Sequence, residues 1–339
     1  MRGALRTLWK LRPEEAIALL FFPFCLGISL KAYLFCVSRG IPPGRFGVGL
    51  WRLAVTVAAV ALFTWFVRRK PCWARLGWIR DVMPFLFCIA IYTNLNDTVQ
   101  FVNPHHVHDA LVRIDAWLFG VQPCVWAQRF YTPLATEAFS LAYMNYFVVS
   151  VAVVGYLLLA GRRSDMRQAL LGTILCFYLG YALYVAFPAA PPRLVLAHLF
   201  TRDFSGGWLT TVQNKLVDLN PSAGRSAFPS LHCGITFITL AYAWRFQKAL
   251  FAVLLPMGVM LVLATVYLRH HYVIDILAAI PLAVLAYRLA PPLEAWWSRQ
   301  RERAESAAPA GAGAGPERAP APAAAHAGVD GHATPPAAR

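Results

Sequence analysis

His271 and Asp275 stand four residues apart in the run Arg269-His270-His271-Tyr272-Val273-Ile274-Asp275. On a helix that spacing puts both side chains on one face. A carboxylate so placed can take the proton of one imidazole nitrogen. This fixes the tautomer and leaves the other nitrogen free as nucleophile or base. The same pair also describes a helix end with a structural aspartate. A second histidine, His232, follows Phe228-Pro229-Ser230-Leu231. Proline suits the first turn of a helix, and the free N–H groups of that turn form a phosphate cradle to which Ser230 adds a hydroxyl. His232 can hand a proton to a leaving oxygen. Ordinary helix capping accounts for the same residues. A third cluster, Pro191-Pro192-Arg193, offers a guanidinium that grips phosphate oxygens bidentately. Arg193, Arg225 and Arg269 can equally hold a lipid head group at a membrane surface.

Taken together, these groups are what phosphoryl transfer through a phosphohistidine needs. Arginines balance the equatorial oxygens, one histidine attacks and the other protonates the leaving group. No cofactor is required. The chain lacks the carboxylate cluster that would hold magnesium, and its seven cysteines show no zinc-type or disulfide-framework spacing.

The elements that must position these residues are membrane spans. Of 339 residues, 58% are hydrophobic and 14% charged, with a mean hydropathy of +0.52. That excludes a soluble or disordered chain for most of its length. About 20 apolar residues cross a bilayer core. The expected spans are Ala16–Cys36, Val48–Val67, Val82–Leu95, Ala135–Leu159, Ala169–Phe187, Phe228–Trp244, Ala249–Leu268 and Tyr272–Leu289, the third being short. No cleavable signal peptide is evident ahead of them. The net charge of +15 sits in short connectors, which argues against nucleic acid as a partner and for a topogenic bias. With a cytoplasmic N-terminus, inner connectors carry 18 Lys and Arg and outer ones 9. Both termini are therefore expected in the cytoplasm of a plasma or inner membrane. The three clusters then fall together on the outer or periplasmic face. Ionisable groups at such depth are costly and mark function by default.

Two outer connectors are long. One holds an amphipathic stretch, Asp109–Phe119, expected at the interface. The other runs Pro188–Ala227. His105, His106 and His108 lie on the same side and could line the entrance, a surface loop being the plainer role. The fold class expected is an all-α polytopic bundle of about eight spans. Residues 1–80 supply N-terminal spans and residues 81–290 a catalytic domain with a six-helix core. An Ala/Pro/Gly-rich tail over 304–339 is expected to be disordered.

These residues resemble the type-2 phosphatidic acid phosphatase superfamily of lipid phosphatases and phosphotransferases. Pro229, Ser230 and His232 match its P-S-x-H motif, and His271 and Asp275 match its H-x-x-x-D ending. The local forms Phe-Pro-Ser-Leu-His, His-His-Tyr-Val-Ile-Asp, Pro-Ala-Ala-Pro-Pro-Arg and Ile114–Gly120 look more like the inositol phosphorylceramide synthase branch. The likeness covers roughly Asn96–Leu289. It implies that His271 is the nucleophile, Asp275 its orienting partner and His232 the general acid and then base. Ser230 and Arg193 would hold the phosphate. The chain departs from the common pattern in two places. The lysine of the first motif has no clear match before Arg193, and Ala264-Thr265 stand where the third motif has Ser-Arg. Arg225 or Arg269 would compensate, and His270 is a rival to His271 with Ile274 as its i+4 partner. The activity implied is metal-independent cleavage of a lipid phosphate ester, with transfer to water or an alcohol. A non-catalytic lipid-phosphate transporter or binder is the alternative.

Overall fold

A computed structural model describes residue 9 and residues 11–42, 44, 49–51, 53–58, 61–62, 77–202, 204–218 and 225–306. The longer helices are α1 (Pro13–Ser38), α2 (Gly77–Thr98), α3 (His108–Phe119), α4 (Pro133–Met144), α5 (Tyr146–Leu159), α6 (Arg163–Ala186), α7 (Trp208–Asp218), α8 (Leu231–Phe246), α9 (Lys248–Tyr267) and α10 (Val273–Ser306). Among the described residues no strand forms, and Ala189 and Ser226 make the isolated bridge. The architecture is an all-α, multi-span bundle. Pro13–Ser38, Pro133–Leu159, Arg163–Ala186, Lys248–Tyr267 and Val273–Ser306 are long and apolar enough to cross a membrane.

The expected spans meet the structure unevenly. The short third span is the inner part of the 22-residue α2. Ala135–Leu159 is two helices that meet at Asn145. The last span does not stop at Leu289 but runs on to Ser306, so α10 takes in the first residues of the tail expected to be disordered. The rest of that tail, and nine of the 20 residues of the Val48–Val67 span, fall outside the described residues.

The bundle is apolar outside as well as inside, as a hydrocarbon solvent demands. Leu20, Leu134, Phe147, Val253 and Leu263 are exposed, whereas Leu170, Leu171, Ile174, Tyr181, Ile235 and Ile238 are buried. The centre is α6, against which α2, α5, α8 and α10 pack. Small residues let α8 approach it closely. A Cβ at Gly172 would run into Tyr242, and one at Gly180 into Leu231. Gly180 thus sets the depth of the first turn of α8, which carries His232.

The end of the bundle away from the histidines is tied by charge. Arg167 pairs with the fully buried Glu14 and, at 3.3 Å, with Glu294. Arg80 reaches Glu15 at 2.6 Å, and Arg12 reaches Asp81 at 2.6 Å. Buried charges persist only when paired in this way. These pairs join α1, α2, α6 and α10 into one frame.

Candidate functional site

His271 is the fourth residue after the end of α9 and precedes α10 by two residues. It is 4% exposed, and Asp275 is fully buried. The i, i+4 contact forms, though not by sharing a helical face. The carboxylate of Asp275, in the first turn of α10, folds back over the helix start. It accepts from the Tyr272 N–H at 2.9 Å, and its Oδ2 lies 3.2 Å from His271 Nδ1. The Ala227 carbonyl lies 3.0 Å from the same nitrogen. Two oxygens at Nδ1 require that it carry the proton, which leaves the Nε2 lone pair free. Burial drives the pKa of His271 from 6.5 down to about 4, with the Arg193 charge assisting and the Ala227 carbonyl opposing. His271 is therefore a neutral base with one available nitrogen near pH 7.

The backbone around it is fixed from three directions. Ala227 pairs with Ala189 through a 3.0 Å N–H···O bond. The Ser230 N–H donates to the Asp275 carbonyl at 3.0 Å. Asp115 of α3 is 1% exposed, and its two oxygens accept from the Val273 N–H at 2.8 Å and the Ile274 N–H at 2.9 Å. A helix leaves its first N–H groups without intrahelical partners, so Asp115 caps α10 from a point far away in the chain.

His232 projects from the first turn of α8, its Nδ1 3.3 Å from His271 Nε2. Tyr143 Oη lies 3.0 Å from His232 Nε2, and the Tyr146 ring lies against the imidazole at 4.6 Å between centroids. Ser230 is the N-cap of α8, accepting from the Cys233 N–H at 3.3 Å. It is fully buried and does not line the cavity described below.

On the other side, Arg193 Nη1 donates to His270 Nδ1 at 3.3 Å. Arginine can only donate, so His270 must carry its proton on Nε2. That nitrogen faces the Gln213 amide at 3.0 Å, with Gln213 Oε1 otherwise unpartnered and buried. With the amide turned over, Gln213 Oε1 accepts the His270 Nε2 proton. Burial, then the Arg193 charge, holds His270 well below the usual histidine range. The rival histidine is therefore engaged at both nitrogens, by Arg193 and Gln213.

Arg269 goes elsewhere. Its backbone is left-handed at φ 62°. Its guanidinium donates to Tyr131 Oη at 2.9 Å and to the Arg202 carbonyl at 3.1 Å. It also lies over the rings of Phe200, Tyr131 and Phe204 at 4.0, 4.8 and 5.2 Å. Its carbonyl accepts from the Arg193 N–H at 3.0 Å, so it anchors the loop that carries Arg193. Arg225 is half-buried near His106 and does not line the cavity. His106 and His108 stack on each other at 5.2 Å, also away from it.

The cavity measures about 230 Å³. His232, His270, His271, Arg193, Gln213 and Ser226 provide its polar wall. Tyr92, Tyr143, Tyr146, Met144, Phe147, Leu216 and Val217 provide most of the rest, with Pro191 and Ala227. Three clusters distant in the chain thus meet at one small chamber, and four of the seven candidate residues do not reach its wall: Asp275, Ser230, Arg225 and Arg269. Tyr143, Gln213, Asp115 and Glu137 were not singled out by the sequence. Glu137 accepts from the Gly207, Leu209 and Thr210 N–H groups at 2.7, 2.8 and 3.1 Å, which seats α7 and brings Gln213 to the chamber. An acid inside an apolar run was the available signal for Asp115 and Glu137. Tyr143 and Gln213 carried none.

Comparison with known proteins bears on this arrangement. A PA-phosphatase related-family protein of Dictyostelium discoideum is 22% identical over 171 residues, covering 44% of this chain and 31% of that relative. The chain thus matches less than a third of that relative's length. No solved structure matches. The family model described as PAP2 superfamily matches residues 109–289, a stretch that holds all three histidines, Arg193 and the capping Asp115. That match spans more than half of the sequence, and the chain belongs to the PAP2 superfamily.

Proposed function

We propose that the protein is an integral-membrane lipid phosphatase or phospho-head-group transferase working through a phosphohistidine on His271. One observation carries this reading: His271 Nε2, freed by the Nδ1 contacts to Ala227 and Asp275, points at His232 Nδ1 across 3.3 Å beside Arg193. Substrate must part the two rings and place phosphorus between them. His271 Nε2 then attacks phosphorus and the bond to the ester oxygen breaks, while His232, made cationic by a proton taken up at Nε2 from solvent as the substrate anion binds, gives its Nδ1 proton to that oxygen and is left neutral. Arg193 holds the equatorial oxygens. In the second half, water or an alcohol loses its proton to His232 and takes the phosphoryl group, which frees His271. The printed name of the relative, PA-phosphatase related, supports a lipid phosphate as substrate. The basic-residue bias supports a site on the outer face with both ends of the chain inside. The local motifs shared with the inositol phosphorylceramide synthase branch favour a hydroxyl-bearing acceptor over water alone.

The deciding experiment is trapping. The purified protein, quenched in turnover with a 32P-labelled lipid phosphate, is expected to carry an acid-labile, base-stable label that is lost in His271→Ala. A chain that never becomes labelled is a lipid-phosphate binder or transporter. A lipid-phosphate panel with and without alcohol acceptors, read by mass spectrometry, then separates hydrolysis from transfer.

A further inference from the structure

The proton on His232 has two nitrogens to choose from, and only Nδ1 faces the reaction. The hydrogen-bond chain decides the matter. His271 Nδ1 meets two oxygens, so its Nε2 can only accept. His232 Nδ1, 3.3 Å from that acceptor, must then donate. His232 Nε2 is left as a lone pair, and the group 3.0 Å from it is the Tyr143 hydroxyl, which can donate to it. Every link is compatible with its neighbours, and reversing one would set two donors or two lone pairs face to face.

The first link cannot last through turnover. Phosphorus has to occupy the space between His271 Nε2 and His232 Nδ1, so the bond that defines the His232 tautomer in the empty site is broken when substrate binds. What remains on His232 is Tyr143. The tyrosine is itself held in place: its ring stacks on His270 at 4.4 Å and 26°, and it lies 4.8 Å from the His232 ring. It is the penultimate residue of α4, next to the Asn145 break, and lines the same chamber.

We propose that Tyr143 is a positioning residue that holds His232 at Nε2 and so keeps its Nδ1 proton aimed at the leaving oxygen, once substrate has separated the two histidines. This rests on the phosphohistidine reading above and adds to it the residue that orients the general acid. Tyr143 itself exchanges no proton with substrate: its hydroxyl donates to Nε2 in the empty site, where His232 is neutral, and accepts from Nε2–H through turnover, when the cationic His232 gives its Nδ1 proton to the leaving oxygen and regains one from the acceptor at the same nitrogen.

The test uses leaving groups that differ in their need for a proton. An alkyl phosphate ester expels an alkoxide that must be protonated, whereas a p-nitrophenyl ester expels a phenolate that need not be. Tyr143→Phe keeps the stacked ring and removes the hydroxyl that holds Nε2. Its loss of kcat on the alkyl ester is expected to exceed its loss on the aryl ester by about tenfold or more, within the range general acids contribute. Equal losses on both substrates, or none on either, overturn the proposal. His232→Ala run in parallel distinguishes the two levels. If it is selective for the alkyl ester and Tyr143→Phe is not, the Tyr143 role falls and the phosphohistidine reading stands. If His232→Ala spares the alkyl ester, the reading itself falls. A measurement on the unmodified chain guards against a variant that does not fold. Side-chain 15N shifts, with His232 assigned by its loss in His232→Gln, should show His232 protonated at Nδ1 alone in the empty site and at Nε2 in the presence of vanadate. A His232 left without a proton on Nε2 in the presence of vanadate overturns the proposal.

Discussion

Replacing Asp115 should cost more than any other change outside the chamber, because one carboxylate supports the start of the helix that carries Asp275. Its oxygens take the Val273 and Ile274 N–H groups at 2.8 and 2.9 Å in a site only 1% exposed. In Asp115→Ala both donors are buried without partners. At about 1–3 kcal/mol for each stranded donor, the loss is about 2–6 kcal/mol, a large part of the 5–15 kcal/mol that typically separates folded from unfolded chains. Asp115→Asn keeps one acceptor and turns an NH₂ toward the other donor, so about 1–3 kcal/mol is expected. The helix start then shifts, and a displacement of about 1 Å at His271 lowers turnover by about 100-fold. Thermal unfolding in detergent, paired with turnover of a lipid phosphate, should rank wild type above Asn above Ala in both readouts. An alanine variant that melts and turns over like the wild type would refute the reasoning, since it would mean that the α10 start needs no external cap.

Two further outcomes follow from the site. His271 is neutral in both folded and unfolded chains above pH 6.5. As pH falls from 6.5 toward its folded value of about 4, the unfolded chain binds the proton first. Stability should decline through that window by about 3 kcal/mol from this group, and the acid limb of kcat/KM should lie near 4. A limb at 6.5 would place a different base in the mechanism. Arg269→Lys loses the contacts to Tyr131, Phe200 and Phe204 and should lower the melting temperature, while raising KM less than Arg193→Lys does. An equal rise in KM would return Arg269 to the phosphate.

Much of the site was legible because its chemistry is concentrated. A histidine four residues before an aspartate, and a Pro-Ser ahead of another histidine, are sparse signals in a chain this apolar. The positive-inside pattern then assigned them to one face without any knowledge of packing. The physical route was read less well. His271 and Asp275 meet because the carboxylate reaches back to the Tyr272 N–H, not because they share a helical stripe. The charge of Arg269 was visible, but its direction was not. Its aromatic partners come from segments roughly 65 to 140 residues earlier, and its left-handed backbone turns the side chain toward them. Tyr143 and Gln213 were silent for a simpler reason. Among 13 tyrosines in apolar surroundings, nothing local marks the one that meets a histidine. The last span was read only as far as Leu289, where the apolar run ends, yet α10 continues through Pro291 and Pro292 to Ser306.

The chamber wall includes Phe147, which is 67% exposed, and the neighbouring surface of α5 continues through Val148 and Val151, both exposed and apolar. On the lipid-phosphate reading proposed above, this apolar border would turn the mouth toward the acyl phase as well as toward water. A substrate arriving there diffuses in two dimensions and keeps its chains among those of its neighbours throughout. The quantity that governs the rate is then its mole fraction among the surrounding amphiphiles. Diluting the substrate with inert detergent or lipid at constant bulk concentration should slow the reaction, and adding buffer should not.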